Sequence, residues 1–172
     1  MRLFTALRFD DETKNALFSA GKEAEKSAKG NFSLKENLHL TLVFIGETER
    51  TDDIKAALCR IDFPAFDYKI SGLGTFEKCI FWAGTEENPN LQKLYLAIKT
   101  TLDETGIETE EREYVPHITL ARKFCPKADF DFSAAEKLLP QKTQRASKIC
   151  LMKSERKEGI LQYTEIFSKE LT

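Results

Sequence analysis

Apolar and polar residues alternate over the first nine positions, as is typical of a β-strand. Leu3 and Leu7 fall on the side opposite Arg2 and Phe4. Similar short apolar runs bounded by Gly, Pro or charged residues predict further strands at residues 38–45, 68–73, 79–83, 115–122, 148–153 and 160–167. The chain is therefore rich in short strands, and the second and third of the later runs are close enough to form a hairpin.

Apolar residues at helical spacing separate these strands. The clearest helix begins at Asn90 and is closed by Gly106. Its apolar stripe comprises Leu91, Leu94, Tyr95, Ile98 and Leu102. Weaker stripes predict helices at residues 10–30, 51–61 and 133–139. Because no Gly-, Ser- or Pro-rich linker interrupts the pattern, we expect residues 1–172 to form a single domain.

Composition indicates an ordinary globular protein with room for one core. Of 172 residues, 41% are hydrophobic and 31% are charged. The formal net charge is −2, so the whole chain exerts no general attraction on nucleic acid. A phosphate-bearing ligand would need a local group of cations, for which Arg2 and Arg122 are candidates close to the motifs described below.

The predicted location is the cytoplasm. The four cysteines show no Cys-x-x-Cys pair, which favours buried, reduced thiols over disulfides or a zinc site. Charged residues within the first eleven positions exclude the apolar core of a signal peptide. No apolar run approaches the length that crosses a membrane, so no membrane association is expected.

The strongest signal in the sequence is a four-residue motif that occurs twice. The chain has two histidines, and both stand in the pattern His-(apolar)-Thr-Leu. The first copy is His39-Leu40-Thr41-Leu42 and the second is His117-Ile118-Thr119-Leu120. The copies lie 78 residues apart, nearly half the chain, which is consistent with an old duplication into two similar lobes.

Strand geometry puts the polar residues of each copy on one face. Residues i and i+2 of a strand point to the same side, about 6.6 to 6.8 Å apart. His39 and Thr41 would share one face. His117 and Thr119 would repeat the arrangement. The residues expected to face the core are Leu40, Leu42, Phe44, Ile118 and Leu120.

Two imidazoles and two hydroxyls that converge on one cleft suit the cleavage of a phosphodiester. One histidine would act as the base and the other as the acid, and the residues alone do not say which is which. The threonine hydroxyls would donate to the phosphoryl oxygens. No cofactor or metal is required. A zinc site is the rival interpretation, but two histidines without a nearby Cys or carboxylate fall short of three protein ligands.

Four further residues are candidates for substrate binding, each with a structural alternative. Arg122 would clamp a phosphate or form a surface salt bridge. By strand parity it lies on the Leu120 side, away from the cleft, unless the strand ends or bulges there. Tyr114 and Tyr163 would stack on a base or serve as rim or core aromatics. Arg2 belongs to the cations near the motifs.

At these motifs the sequence resembles the two-histidine phosphoesterase superfamily. Within it, the sequence is similar to the RNA 2′,3′-cyclic phosphodiesterases, also called 2′-5′ RNA ligase-like proteins. The similarity covers nearly the whole chain. It rests on Arg2-Leu3-Phe4-x-Ala6, residues 37–46, Trp82-Ala83-Gly84, residues 116–122, Ser154, Gly159 and Tyr163.

The resemblance implies an α+β fold with two pseudo-symmetric lobes, whose antiparallel sheets line a central cleft and whose helices lie outside. It implies metal-independent hydrolysis of an RNA 2′,3′-cyclic phosphate end to a 2′-phosphomonoester. It assigns His39 as proton donor and His117 as proton acceptor, with Thr41 and Thr119 on the phosphate. No obligate protein partner is implied.

Other functions remain open at this point. The same residues would serve ATP-independent 2′-5′ RNA ligation, in which an RNA hydroxyl replaces water, or hydrolysis of a small cyclic nucleotide. A non-catalytic module that binds RNA ends would keep the fold but lose a His or Thr of the motifs. All four are present here.

Overall fold

The computed structural model describes residues 1–77 and 79–172. The strands are β1 (Arg2–Leu7), β2 (Ala28–Phe32), β3 (Leu40–Glu47), β4 (Phe66–Tyr68), β5 (Ile70–Phe76), β6 (Ile80–Thr85), β7 (Ile118–Pro126), β8 (Gln144–Ala146), β9 (Lys148–Lys157) and β10 (Ile160–Glu170). The α-helices of this part are α1 (Asp11–Glu25), α2 (Thr51–Cys59), α3 (Pro89–Glu104) and α4 (Phe132–Glu136). All strand pairs are antiparallel, and the predicted α+β class is confirmed.

Two four-stranded sheets carry one motif each. The first sheet has the order β10-β9-β1-β3 and the second β2-β7-β6-β5. The first motif runs into β3, at the edge of its sheet, whereas the second runs into β7, which is paired on both sides. The two histidines therefore belong to different sheets, as expected of two lobes that face each other.

Alternation in β1 gives the first sheet two apolar faces. Leu3 and Leu7 are buried in the main core, as the sequence pattern predicts. The opposite face buries a smaller cluster of Phe4, Ala6, Cys150 and Met152. Because Phe4 also contacts the first motif, this second face forms part of the cleft rather than of the main core.

The first helix is shorter than predicted. Asp10 caps α1 by accepting a hydrogen bond from the Thr13 amide at 2.9 Å. The helix ends at Glu25 rather than at Gly30, and residues 28–32 form β2 instead. Ala28 lies opposite Pro126 and Phe32 opposite Ala121, so this segment completes the edge of the second sheet. Its pairing with a strand nearly a hundred residues away overrides the weak local helical pattern.

Other predictions meet mixed outcomes. The hairpin is confirmed as β5 and β6, and the clearest predicted helix is confirmed as α3, capped by Asn88. The ribbon of β4 and β8 was not predicted, because three-residue strands are too short to show alternation. α2 packs against α3, and α3 also contacts β3. Within residues 1–77 and 79–172, no helix is long and apolar enough to cross a membrane.

The prediction of four buried thiols is wrong for three of them. Cys150 is buried on the cleft face of the first sheet, whereas Cys59, Cys79 and Cys125 are exposed. Cys59 ends α2, Cys79 lies in the turn before β6, and Cys125 lies near the end of β7. Ends of elements reach the surface, which single-residue hydrophobicity does not reveal. All four thiols are free.

Candidate active site

The two motif segments are tied together across the cleft. The phenol of Tyr114, which precedes the second motif, donates to the Thr41 carbonyl at 3.2 Å. The Glu110 amide donates to the Phe44 carbonyl at 3.3 Å. These bonds join the segment before β7 to the middle of β3. They therefore hold the second motif close to the first.

Both imidazoles are oriented by the same type of hydrogen bond, from Nδ1 to a backbone carbonyl. Nδ1 of His39 lies 2.7 Å from the Asn37 carbonyl, and Nδ1 of His117 lies 2.7 Å from the Val115 carbonyl. A carbonyl oxygen can only accept, so Nδ1 carries the hydrogen in each ring. Nε2 is then the basic nitrogen of both neutral histidines. The structure thus presents two imidazoles with the basic nitrogen at the same ring position, each fixed by the backbone two residues earlier.

Neighbouring side chains complete the support of each ring. The Thr41 hydroxyl lies 2.9 Å from His39 Nε2 and donates to it in this tautomer. The Phe4 ring packs on His39 with centroids 4.8 Å apart, and the Phe76 ring meets His117 edge to face at 4.9 Å. Each imidazole therefore packs against a phenylalanine, which limits the rotation of the ring.

The surroundings favour the neutral form of both histidines. Burial lowers the pKa of His39 to about 4, and the charges of His117, Arg122 and Arg8 act in the same direction. Burial also lowers the pKa of His117, together with the charges of Arg112 and Arg122. Arg122 acts on both rings, so both lie within its electrostatic reach. An anion in the cleft would offset these effects.

An NMR titration of the two histidines tests this electrostatic environment. We expect both pKa values below the ordinary 6.5, with that of His39 near 4, because burial disfavours the imidazolium. Inorganic phosphate should raise both values, since an anion stabilises the imidazolium. Phosphate should consequently bind more tightly as the pH falls. The two signals are assigned with single histidine variants, and a pKa at or above 6.5 in the free protein would contradict the structure.

A β-bulge changes which residues of β3 face the cleft. Ala6 lies opposite Thr41, but Phe4 lies opposite Phe44, so two steps along β1 correspond to three along β3. Phe44 consequently falls on the same face as Thr41. The prediction that Phe44 faces the core is wrong for this reason, whereas Leu40 and Leu42 are buried as predicted.

The same irregularity in β7 brings Arg122 to the cleft. Trp82 lies opposite Thr119 and Phe81 opposite Ala121, so one step along β6 corresponds to two along β7. Ala121 and Phe81 are both buried in the core, which turns Arg122 to the Thr119 side. The sequence predicts that Arg122 faces the cleft only if the strand ends or bulges at this point, and the bulge is present. Both motifs thus place the fifth residue after the histidine on the cleft face.

A cavity of about 600 Å³ adjoins His39. Its lining comprises Arg2, Phe4, His39, Thr41, Phe44, Glu47, Arg122, Ser154, Glu155, Arg156, Leu161 and Tyr163. The lining mixes three arginines with aromatic rings, which suits a ligand that combines a phosphate with a flat base. Arg122 is the residue of the second sheet that lines this cavity among the described residues, and His117 and Thr119 do not line it.

The remaining candidates fall into two groups. Arg2 and Tyr163 line the cavity, where the Arg2 guanidinium lies 4.9 Å above the Phe44 ring and Tyr163 meets His39 edge to face at 5.0 Å. Tyr114 does not line it, because its ring is buried and stacks on Tyr95 at 4.4 Å. Burial also raises the pKa of the Tyr114 phenol, which keeps it a neutral donor to the Thr41 carbonyl. Tyr114 therefore positions the site.

Three supporting residues had no assigned role in the sequence. Asn37 orients His39 and also binds β10, donating to the Leu161 carbonyl at 2.8 Å. Phe4 and Phe76 brace the imidazoles. Asn37 and Phe4 stand inside the segments that carry the resemblance, so a signal for them existed. Phe76 had none, because its contact with His117 depends on the pairing of β5 with β6 and of β6 with β7.

Among the residues that the structure describes, no group of three or more His, Cys, Asp or Glu side chains is arranged to hold a metal ion. The two motifs and Arg122 contribute two imidazoles, two hydroxyls and a guanidinium. Such groups can move protons and stabilise negative charge on a phosphoryl group.

Comparison with known sequences identifies similar proteins. The model of the 2′-5′ RNA ligase superfamily matches residues 12–158. The chain is 35% identical over 155 residues to the RNA 2′,3′-cyclic phosphodiesterase of Thermotoga maritima, which covers 79% of this chain and 81% of that protein. It is 31% identical over 127 residues to the protein of the same name from Methanocaldococcus jannaschii, with 71% of each covered.

Comparison with solved structures finds the same fold. Escherichia coli LigT complexed with 3′-AMP matches with a TM-score of 0.82 at 22% identity, covering 99% of this chain and 98% of that chain. The protein TT0787 of Thermus thermophilus matches with a TM-score of 0.77 at 24% identity, covering 99% and 98%. At these identities the likeness concerns the fold.

Proposed function

The chain belongs to the 2′-5′ RNA ligase superfamily, and we propose that it hydrolyses the 2′,3′-cyclic phosphate ends of RNA. The observation that carries this proposal is the pair of identically oriented imidazoles, one on each sheet. A cyclic phosphate needs one proton removed from water and one delivered to the leaving oxygen. Two histidines that each present a basic Nε2 are suited to that exchange.

In the proposed reaction, His117 Nε2 accepts a proton from the attacking water and His39 Nε2 donates one to the 3′-oxygen. The bond from phosphorus to water oxygen forms and the bond from phosphorus to the 3′-oxygen breaks. The product is a 2′-phosphomonoester. The order of the two roles follows the family resemblance, since the orientation of the two rings is the same. His39 becomes the acid when the bound phosphate raises its depressed pKa.

Thr41, Thr119 and Arg122 are proposed to hold the phosphoryl oxygens. When His39 is protonated, its Nε2 can no longer accept from the Thr41 hydroxyl, which is then free to donate to the phosphate. Arg122 lies on the cleft face after the bulge and influences both histidines. It would neutralise charge that develops on the non-bridging oxygens.

Arg122→Ala is expected to lower kcat/KM by about tenfold or more, because it removes a charge-assisted hydrogen bond worth roughly 1.5–3 kcal/mol. Arg122→Lys should recover part of the loss. Lys123→Ala is the matched control, since Lys123 is the adjacent exposed cation and does not line the cavity. Steady-state kinetics measures the effect, and equal kcat/KM values for Arg122→Ala and Lys123→Ala would contradict the placement of Arg122.

The function is tested with an oligonucleotide that carries a 5′-label and a 2′,3′-cyclic phosphate end. Purified protein should convert it to the phosphomonoester, with the same rate in the presence of EDTA. Addition of an RNA with a 5′-hydroxyl shows whether a joined product also forms. Recovery of unchanged substrate in both reactions would refute the enzyme proposal and favour a module that only binds RNA ends.

The family indicates RNA as the class of substrate. The requirement for a cyclic phosphate end belongs to the proposal, as does the cytoplasmic location. The small number of cations around the cavity suggests recognition of the RNA end rather than of a long stretch of backbone. All three arginines in the lining are exposed. Arg156 already donates to the Gly159 carbonyl at 3.0 Å, which leaves Arg2 and Arg122 to reach a phosphate.

A further inference from the structure

A second cavity, of about 710 Å³, adjoins the second motif. Val115 and Pro116, the two residues before His117, form one wall, and Trp82 forms another. Of the described residues that line it, none is shared with the cavity beside His39. Each of the two motif segments therefore adjoins a cavity of its own. The cavity beside the second motif lies on the side from which the nucleophile approaches in the proposed function.

The second cavity contains a flat aromatic surface. A Cβ on Gly74 would lie 2.4 Å from Trp82 Cζ2, and one on Gly84 would lie 3.0 Å from Trp82 Cζ3. The six-membered ring of the indole thus packs directly against the backbone of these two glycines, along the surface of the sheet. Trp82 stays half-buried, and its uncovered part lines the cavity. Such a surface suits stacking on a nucleobase.

The charges of the two cavities differ. The cavity beside His39 carries Arg2, Arg122 and Arg156 with two glutamates. Among the described residues of its lining, the second cavity carries Glu86 and Glu87 against the single cation Lys93. A phosphate is favoured in the first and disfavoured in the second, whereas a neutral nucleoside fits the second.

We infer that the second cavity binds the nucleoside whose 5′-hydroxyl attacks the cyclic phosphate when a second RNA end replaces water. The inference rests on the proposed function, in which His117 removes the proton from the nucleophile. The 5′-oxygen bonds to phosphorus and its proton passes to His117. The bond from phosphorus to the 3′-oxygen breaks, and His39 protonates that oxygen. The products are a 2′–5′ phosphodiester and a free 3′-hydroxyl, and the atoms balance without a further reactant.

Position supports this assignment. The nucleophile must approach next to His117, and the second cavity begins at the two residues that precede it. Trp82 lies opposite Thr119 across the β6–β7 pair, so the stacking surface lies beside the hydroxyl proposed to bind the phosphate. Glu86 and Glu87 disfavour a nucleoside that carries a 5′-phosphate, which has no attacking hydroxyl.

Fluorescence tests binding directly, because Trp82 is the single tryptophan of the chain. Adenosine should quench it to saturation, and adenosine 5′-monophosphate should quench it more weakly at the same concentration. Absence of saturable quenching by adenosine, or equal affinity for the two compounds, would overturn the inference. Neither result bears on hydrolysis of the cyclic phosphate, which is assayed separately, so failure of the proposed function is recognised independently.

Product partition gives a second test. With a cyclic-phosphate oligonucleotide and a 5′-hydroxyl RNA, Trp82→Ala should lower the ratio of joined to hydrolysed product by about 5- to 150-fold, the range for loss of one stacked base. Trp82→Phe should retain most of the ratio. Phe132→Ala removes an exposed aromatic ring that lines neither cavity and should leave the ratio unchanged. An unchanged ratio in Trp82→Ala would overturn the assignment.

Discussion

His39→Ala and His117→Ala are each expected to lower kcat by about 100- to 10,000-fold, which is the range for loss of one acid or base in the transition state. Each substitution removes one of the two Nε2 atoms and leaves the other imidazole held by its own carbonyl and phenylalanine. The double variant should lose little more than the worse single variant, because acid and base act as a unit.

The folded state should survive both substitutions. Both histidine side chains are only partly buried, so alanine leaves space that water can occupy. We therefore expect thermal unfolding midpoints close to that of the unsubstituted protein. Turnover near the original rate in either folded variant would refute the acid–base pair, whereas loss of folding would leave His39→Gln and His117→Gln as the informative variants.

The second large effect is expected from the threonines. Thr41→Val and Thr119→Val should each lower kcat by about 100- to 1,000-fold, as measured for removal of one fixed donor to a developing oxyanion. Valine keeps the branched shape that a strand favours, so the change is limited to the hydroxyl. Thr41→Val also removes the hydrogen bond to His39 Nε2.

Serine variants, and a variant of a distant threonine, distinguish hydrogen-bond donation by the hydroxyl from packing of the side chain. Thr41→Ser and Thr119→Ser keep the hydroxyl and should recover most of the rate. Thr164→Val changes an exposed threonine of β10 that does not line the cavity, and its rate should not change. A rate loss of similar size in the serine and valine variants would assign the threonines to packing instead of catalysis.

The family and the core-facing positions were accessible from the sequence because they depend on local spacing. The resemblance to the two-histidine phosphoesterases is confirmed by the match over residues 12–158. Leu40, Leu42, Ile118 and Leu120 are buried as strand parity predicts. The roles of the motif residues stay predictions, as does the description of residues 1–172 as one bilobal domain.

The faces of Phe44 and Arg122 depend on features that the sequence does not encode locally. A bulge in β3 and one in β7 shift the parity after each threonine, and both arise from pairing with strands distant in the chain. The sequence also fails to predict β2, because that strand is stabilised by its pairing with the distant β7. For Tyr114 the sequence leaves base stacking and a rim or core position open. Its burial against Tyr95, which favours the core, could be seen only in three dimensions.

The most direct measurement of the proposed chemistry is the ³¹P NMR spectrum of a cyclic-phosphate dinucleotide incubated with the protein in H₂¹⁸O. We predict one product signal, that of a 2′-phosphomonoester carrying one ¹⁸O, because water attacks phosphorus and the 3′-oxygen leaves. The signal should be absent with His39→Ala and with His117→Ala. A 3′-phosphomonoester, or a cyclic phosphate that persists with the unsubstituted protein, would contradict the proposal.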